Sequence, residues 1–276
     1  VNEETPSSLV ELLLQRCDTS FDHLAIIDSL TGKRLNWGQL LQQSVAVAER
    51  IEAIGMTAGD RVLHIGPHSA AWPIVDFGCL LSGVVHVALH HEESQSEQGR
   101  QLQLFKPSGL VLSGDIRGRA LTQYDLPLIQ VQANWSTERI DRNAVRNSIA
   151  ERVQRCDPDK PAVVLISSGT TGRPKGFVHS QRSLVMNAVA STAEFLEEPD
   201  DVRLSWLPQS HALARVGDLY TSAVRGGALN IVRDRRQILE ACKKVPPAAI
   251  LGVPIFYDRL ARAVQQGKIT NLCEAL

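Results

Sequence analysis

Aromatic residues are scarce in this chain, at 5% of 276 residues, and its five cysteines are scattered. Cys17, Cys79, Cys156, Cys242 and Cys273 are odd in number, far apart and contain no CxxC pair. That pattern argues against a disulfide framework or a zinc site, and a reducing, cytoplasmic setting fits it. No apolar run approaches the ~20 residues that span a bilayer, so no transmembrane segment is expected, though a peripheral membrane contact stays compatible. The opening residues Val1-Asn2-Glu3-Glu4-Thr5-Pro6 lack the basic start and apolar stretch of a signal peptide. Net charge is −1, so no global basic field points to nucleic acid and any anion site must be local. Neither GxGxxG nor GxxxxGK[ST] occurs, which leaves a dinucleotide fold and a Walker-type kinase or GTPase without support.

What the chain does contain is enough apolar residue, 43%, to bury a sizeable core without disulfides or structural metals. Ser8 to Glu11 reads as a capping box opening a helix. Leu24–Asp28 and Arg34–Asn36 flank a Thr31-Gly32 turn, like a hairpin. Leu40, Leu41, Val45, Ala48 and Ile51 recur at helical spacing, with Gly55 placed as a C-terminal cap. Short apolar strands then alternate with helices: strands at 61–65, 84–89, 110–112 and 126–131, helices at 70–81, 97–105 and 139–155. The run Asp157-Pro158-Asp159-Lys160-Pro161 is the best boundary, giving a first α/β subdomain over 1–157 and a second over 158–276. In the second, strands are expected at 162–166, 202–206, 228–232 and 248–253, with helices at 183–196, 216–224, 237–243 and 256–265. The fold class is α/β: mostly parallel sheets covered by helices on both faces.

The apolar strand Ala162–Ile166 runs straight into Ser167-Ser168-Gly169-Thr170-Thr171-Gly172-Arg173-Pro174-Lys175-Gly176. A glycine-rich turn after a buried strand lets backbone N–H groups approach an anion closely; here Gly169, Gly172 and Gly176 supply that freedom. Ser167, Ser168, Thr170 and Thr171 add hydroxyl donors, and Lys175 adds a compact positive charge. At ~4 Å that charge gains ~1 kcal/mol against a phosphate charge in water, and ~4 kcal/mol at an effective dielectric near ~20. The loop must therefore sit in a cleft, and the carboxyl edge of the sheet is the expected place.

This decapeptide resembles the signature loop of the acyl-adenylate-forming superfamily, which includes acyl-CoA synthetases, peptide-synthetase adenylation domains and luciferases. The resemblance implies that Ser167, Ser168, Gly169, Thr170, Thr171, Gly172 and Lys175 bind the nucleotide, with Thr170, Thr171 and Lys175 assisting catalysis. Gln181 stands where a histidine is common and receives no role. Leu204-Ser205-Trp206-Leu207-Pro208-Gln209-Ser210-His211 resembles the LPLxH segment, which makes His211 the candidate acid-site residue. The stretches Ala212–Tyr220 and Gly252–Arg259 look most like long-chain fatty acyl-CoA synthetases. The resemblance implies layered α/β N-terminal subdomains, ATP with Mg2+, a fatty-acid substrate and CoA as acceptor, and it is compatible with a homo-oligomer. It covers only the early part of the family's pattern. No YGxTE-like or TGD segment follows, and a C-terminal lid domain is expected to be absent. A non-catalytic nucleotide- or acyl-binding relative, or half of a split enzyme, is the alternative expectation.

Several other features carry bland readings. His86, His90, His91 and Glu92 are crowded in sequence, but a strand running into a loop loses the helical geometry that would let His86 and His90 share a metal, so no metal site is expected. Arg233–Arg236 reads as a solvated charge run, and Trp72 and Trp206 as packing residues. Ser167 and Ser168 lack the GxSxG elbow of a nucleophile.

Overall fold

The computed structural model describes residues 5–114, 125–136, 138–167, 175–194 and 198–265. Among them, strands assemble into two sheets. The smaller combines β1 (Leu24–Asp28) and β2 (Arg34–Asn36) with β9 (Val202–Ser205), β10 (Ala228–Ile231) and β11 (Ala249–Ile250), in the order β11-β9-β10-β1-β2. The larger contains β3 (Arg61–Gly66), β4 (Val85–His90), β5 (Gly109–Ser113), β6 (Leu128–Val131), β7 (Pro161–Ser167) and β8 (Lys175–Ser180), in the order β6-β5-β3-β4-β7-β8. Only the edge strands β2 and β8 run antiparallel to their neighbours. The mostly parallel α/β expectation holds.

Strand pairing sets the helices in layers. Along β3, Val62 faces one side and Leu63 and Ile65 the other, as the period of two requires. On the Leu63 side lies α4 (Gln95–Phe105), packing Leu102 and Phe105. Between the sheets lie α1 (Leu9–Thr19), α2 (Trp37–Ala53), α3 (Ala71–Ser82), α5 (Arg142–Arg155) and α6 (Gln181–Glu194), whose apolar residues share one core with both sheets. Residues Ala71 to Leu81 of α3 are all buried, as expected for a central helix. Beyond the smaller sheet, α9 (Ile238–Lys244) packs Ile238, Ala241 and Cys242 on Leu204 and Val232.

Local signals explain where elements start and stop. Ser8 caps α1 by accepting from the Glu11 N–H at 3.0 Å, but the Glu11 carboxylate turns to Ser7 instead of closing a reciprocal box. The reciprocal box occurs on α2, where Asn36 and Gln39 exchange bonds of 2.8 and 2.9 Å. Gly83, at φ 76°, ends α3 in the left-handed region that favours glycine.

Two further sequence expectations change. Residues 216–224 are not one helix: α7 (Ala212–Ala214) leads into a π-helical turn, Arg215–Tyr220, and then α8 (Thr221–Arg225). The strand expected over 248–253 pairs only at Ala249–Ile250, at the edge of its sheet. Both sheets draw strands from either side of Asp157–Pro161, since β1 pairs with β10 and β4 with β7. No helix among the described residues is long and apolar enough to cross a membrane.

Candidate active site at the carboxyl edge of the larger sheet

Ser167 ends β7 and Lys175 begins β8, and the two are directly paired across the antiparallel ladder. The residues between them, including Ser168, Gly169, Thr170, Thr171 and Gly172, lie outside the described residues. The ends of the segment are therefore anchored side by side at the carboxyl end of a parallel strand, with both Ser167 and Lys175 exposed. That is the edge where open α/β sheets bind ligands. Gly176 does not play the part expected of it. It is a strand residue, and a Cβ there would lie 2.7 Å from the Phe105 ring and 2.8 Å from Val164 Cγ1. Its glycine lets β8 lie against β7 and α4.

His211 reaches the same edge from the other sheet. It precedes α7 in the connection after β9, and its ring lies 5.7 Å from that of His90, the last residue of β4. Strand β4 is the parallel neighbour of β7 with His86 opposite Val163, so extending the register puts His90 level with Ser167. The two sequence-predicted motifs thus converge on adjacent strand ends. Crowding by surrounding atoms and the nearby His90 hold the His211 imidazole below its ordinary value.

Behind this edge runs a buried polar chain that the sequence reading missed. Ser113 Oγ is 2.7 Å from His64 Nε2, His64 Nδ1 is 3.0 Å from His86 Nε2, and His86 Nδ1 is 2.6 Å from Asp76 Oδ1. Arg215 Nη2 closes on the same Asp76 oxygen, and Arg215 Nε donates to the Tyr220 hydroxyl at 2.8 Å. The guanidinium also lies over Trp72, 5.3 Å from the ring centre. All six polar members are buried. Burial pushes the Asp76 carboxyl up, but Arg215 and His86 more than offset it and leave it at about 2. An ionised Asp76 only accepts, while Arg215 Nη2, which only donates, also lies 2.5 Å from His86 Nδ1, so the tautomer of His86 sets the direction of the chain. Both rings are neutral; with the His86 proton on Nδ1, His86 donates to Asp76, His64 to His86 and Ser113 to His64. Consistently, burial and the Arg215 charge lower His86 to about 4, and burial with His86 lowers His64 well below the usual range.

The signal that could have found this chain was present. Asp76 interrupts the otherwise apolar run Ala71-Trp72-Pro73-Ile74-Val75, and His64 and His86 interrupt two buried strands. A buried charge inside an apolar element requires a partner. His86 thus turns into the core, while His90 and His91 stack on each other, 5.2 Å apart, at the strand end. Among the described residues no three His, Cys, Asp or Glu side chains are grouped to hold a metal ion. Trp206 packs, with Nε1 donating to the Leu251 carbonyl at 2.8 Å and its ring 4.8 Å from Phe256.

Known proteins resemble this chain in sequence and in fold. A mouse long-chain-fatty-acid–CoA ligase, ACSBG2, is 24% identical over 95% of this chain, which covers 44% of that protein. A chloroplastic long-chain-fatty-acid–[acyl-carrier-protein] ligase of Arabidopsis thaliana, AEE15, is 23% identical over 89% of this chain and 38% of its own length. The ATP-bound crystal structure of MatB from Rhodopseudomonas palustris superposes with a TM-score of 0.76 at 22% identity, covering 92% of this chain and half (50%) of that one. The chain therefore spans less than half the length of these curated relatives, and the structural likeness carries the fold. The sequence pattern of the AMP-binding enzymes matches residues 13–273, and the chain belongs to that family.

Proposed function

We propose that this chain is the nucleotide- and acid-binding part of a ligase that activates a long-chain fatty acid with ATP and passes the acyl group to the thiol of CoA. In the first step a carboxylate oxygen attacks the α-phosphorus of ATP and pyrophosphate leaves. In the second, a thiol sulfur attacks the acyl carbonyl and AMP leaves. The observation that carries this reading is the Ser167–Lys175 pair, which brings the residues flanking the glycine- and hydroxyl-rich segment together at one strand end. Negative charge gathers on the departing pyrophosphate, and fixed donors at that place lower the barrier because they need no reorganisation. Ser167, Ser168, Gly169, Thr170, Thr171 and Gly172 would supply N–H and hydroxyl donors, and Lys175 the charge. His211, beside His90 at the carboxyl end of β4, would border the acid. Magnesium would enter with the ATP phosphates, whose oxygens it prefers, and there it would neutralise phosphate charge. Relatives named as long-chain-fatty-acid ligases support the substrate, and unpaired Cys17, Cys79, Cys156 and Cys242 support a cytoplasmic setting.

The test is ATP–pyrophosphate exchange with a long-chain fatty acid in the full-length protein. Lys175→Ala should reduce exchange at least ~10-fold, the size of effect expected for loss of one electrostatic donor. Unchanged exchange would overturn the reading.

A further inference from the structure

The buried chain ends in the same short segment that carries His211. Strand β4 meets that segment twice from one face, because His86 and His90 are four residues apart and project to the same side. His86 bonds Asp76, which holds Arg215, and the ring of His90 lies beside that of His211. The Arg215 backbone N–H donates to the His211 carbonyl at 3.0 Å. A second buried ion pair grips the turn from the other sheet, with Arg203 of β9 3.5 Å from Asp218.

The turn's shape serves the same grip. In an α-helix, residues five apart diverge by ~140° around the axis. The wider π-helical turn brings Arg215 and Tyr220 together, so the Tyr220 hydroxyl caps the guanidinium. Such turns cost hydrogen-bond geometry and are concentrated at functional sites. Stability alone does not account for the arrangement, since well-packed apolar residues commonly replace a buried ion pair without loss. What the polar chain supplies that apolar packing would not is one fixed geometry.

We propose that Asp76, His86 and Arg215 are positioning residues that hold His211 against the carboxyl end of β4, so that acid activation depends on side chains that never reach the surface. This rests on the reading of His211 as an acid-site residue. The test uses the full-length protein with 13C-labelled histidine rings, the His211 signal being assigned by its loss in His211→Gln. Arg215→Lys keeps the charge but loses the planar fork. It should shift the His211 ring signal and lower kcat of exchange at least ~10-fold while the KM for ATP stays within ~2-fold. Tyr220→Phe, which removes one hydroxyl, should act in the same direction more weakly and serves if Arg215→Lys does not fold. Leu41→Ala, a core truncation outside the chain, should leave the His211 signal in place. An unmoved His211 signal in the folded Arg215→Lys or Tyr220→Phe variants overturns the positioning role. A moved signal with full exchange supports the positioning and overturns instead the role given to His211.

Discussion

Asp76 of α3 and Arg215 of the π-helical turn form an ion pair in which both side chains are 0% exposed. Charges this deep are costly to isolate. Removing one partner typically costs ~3–5 kcal/mol, whereas replacing both with apolar residues is often neutral or stabilising. Arg215→Met is therefore expected to lower stability by that amount in urea denaturation. The double variant Asp76→Leu/Arg215→Met should recover most of the loss, a strong non-additivity between contacting residues. A double variant as unstable as the sum of the singles would contradict this. If the pair positions His211, the recovered double variant should still be slow.

Buried histidines give the fold an acid limit. Burial lowers His68 from 6.5 to about 4, against the bond its Nε2 donates to the Ser205 carbonyl at 2.9 Å. His86 is lowered to about 4, and burial with His86 holds His64 well below its ordinary value. A histidine in the unfolded chain binds its proton near pH ~6.5. As pH falls through that value the unfolded state gains protons that the folded state refuses, so stability is full above it and declines towards pH ~4. For His68 alone the loss across that window is roughly 3 kcal/mol. Urea midpoints should be lower at pH 4.5 than at pH 7.5, and His68→Gln should flatten the difference. A midpoint independent of pH in that interval would contradict it.

Much of the framework was legible because it rests on local periodicity. Strands β3, β4 and β7 announced themselves as apolar runs, and α2 by its helical spacing and cap. Sheet membership was not legible, because the pairing of Ile26 with Leu229 joins distant parts of the chain. Strand β8 was missed since its residues Lys175 to Val178 are exposed, leaving no alternation to read. The π-helical turn was read as ordinary helix because the inward-facing Arg215 and Asp218 are polar, and their partners Asp76 and Arg203 lie elsewhere in sequence. At the site, the glycine-rich segment and His211 were visible as motifs. The histidine–aspartate chain behind them was not, since nothing in a period marks a polar residue as paired.

Gly176 links packing to the proposed nucleotide site. A Cβ at this position would press on the Phe105 ring and Val164 Cγ1. Gly176→Val should push β8 away from β7 and displace Lys175, weakening ATP binding several-fold. The buried core around Val163 and Val185 should stay folded. Calorimetry with ATP, alongside a thermal melt, checks both parts. Unchanged affinity would show that β8 does not set the place of Lys175.

Gly78 should behave against helix propensity. In the middle of α3, glycine to alanine would ordinarily gain ~1 kcal/mol. Here the added Cβ would lie 2.5 Å from Val47 Cγ1, 2.7 Å from Val47 Cβ and 3.0 Å from the Ser44 carbonyl oxygen of α2. Val47 is β-branched and held in one rotamer, so it cannot swing aside, and Ser44 presents backbone. The two helices must separate, and overpacking of that kind costs ~1–3 kcal/mol. The clash outweighs the propensity gain, and Gly78→Ala should lower the urea midpoint. Val47→Ala in the same chain removes the obstructing methyls, so the double variant should lose less than the two single losses combined. That positive coupling identifies the α2–α3 contact as the cause, and simple additivity would contradict it.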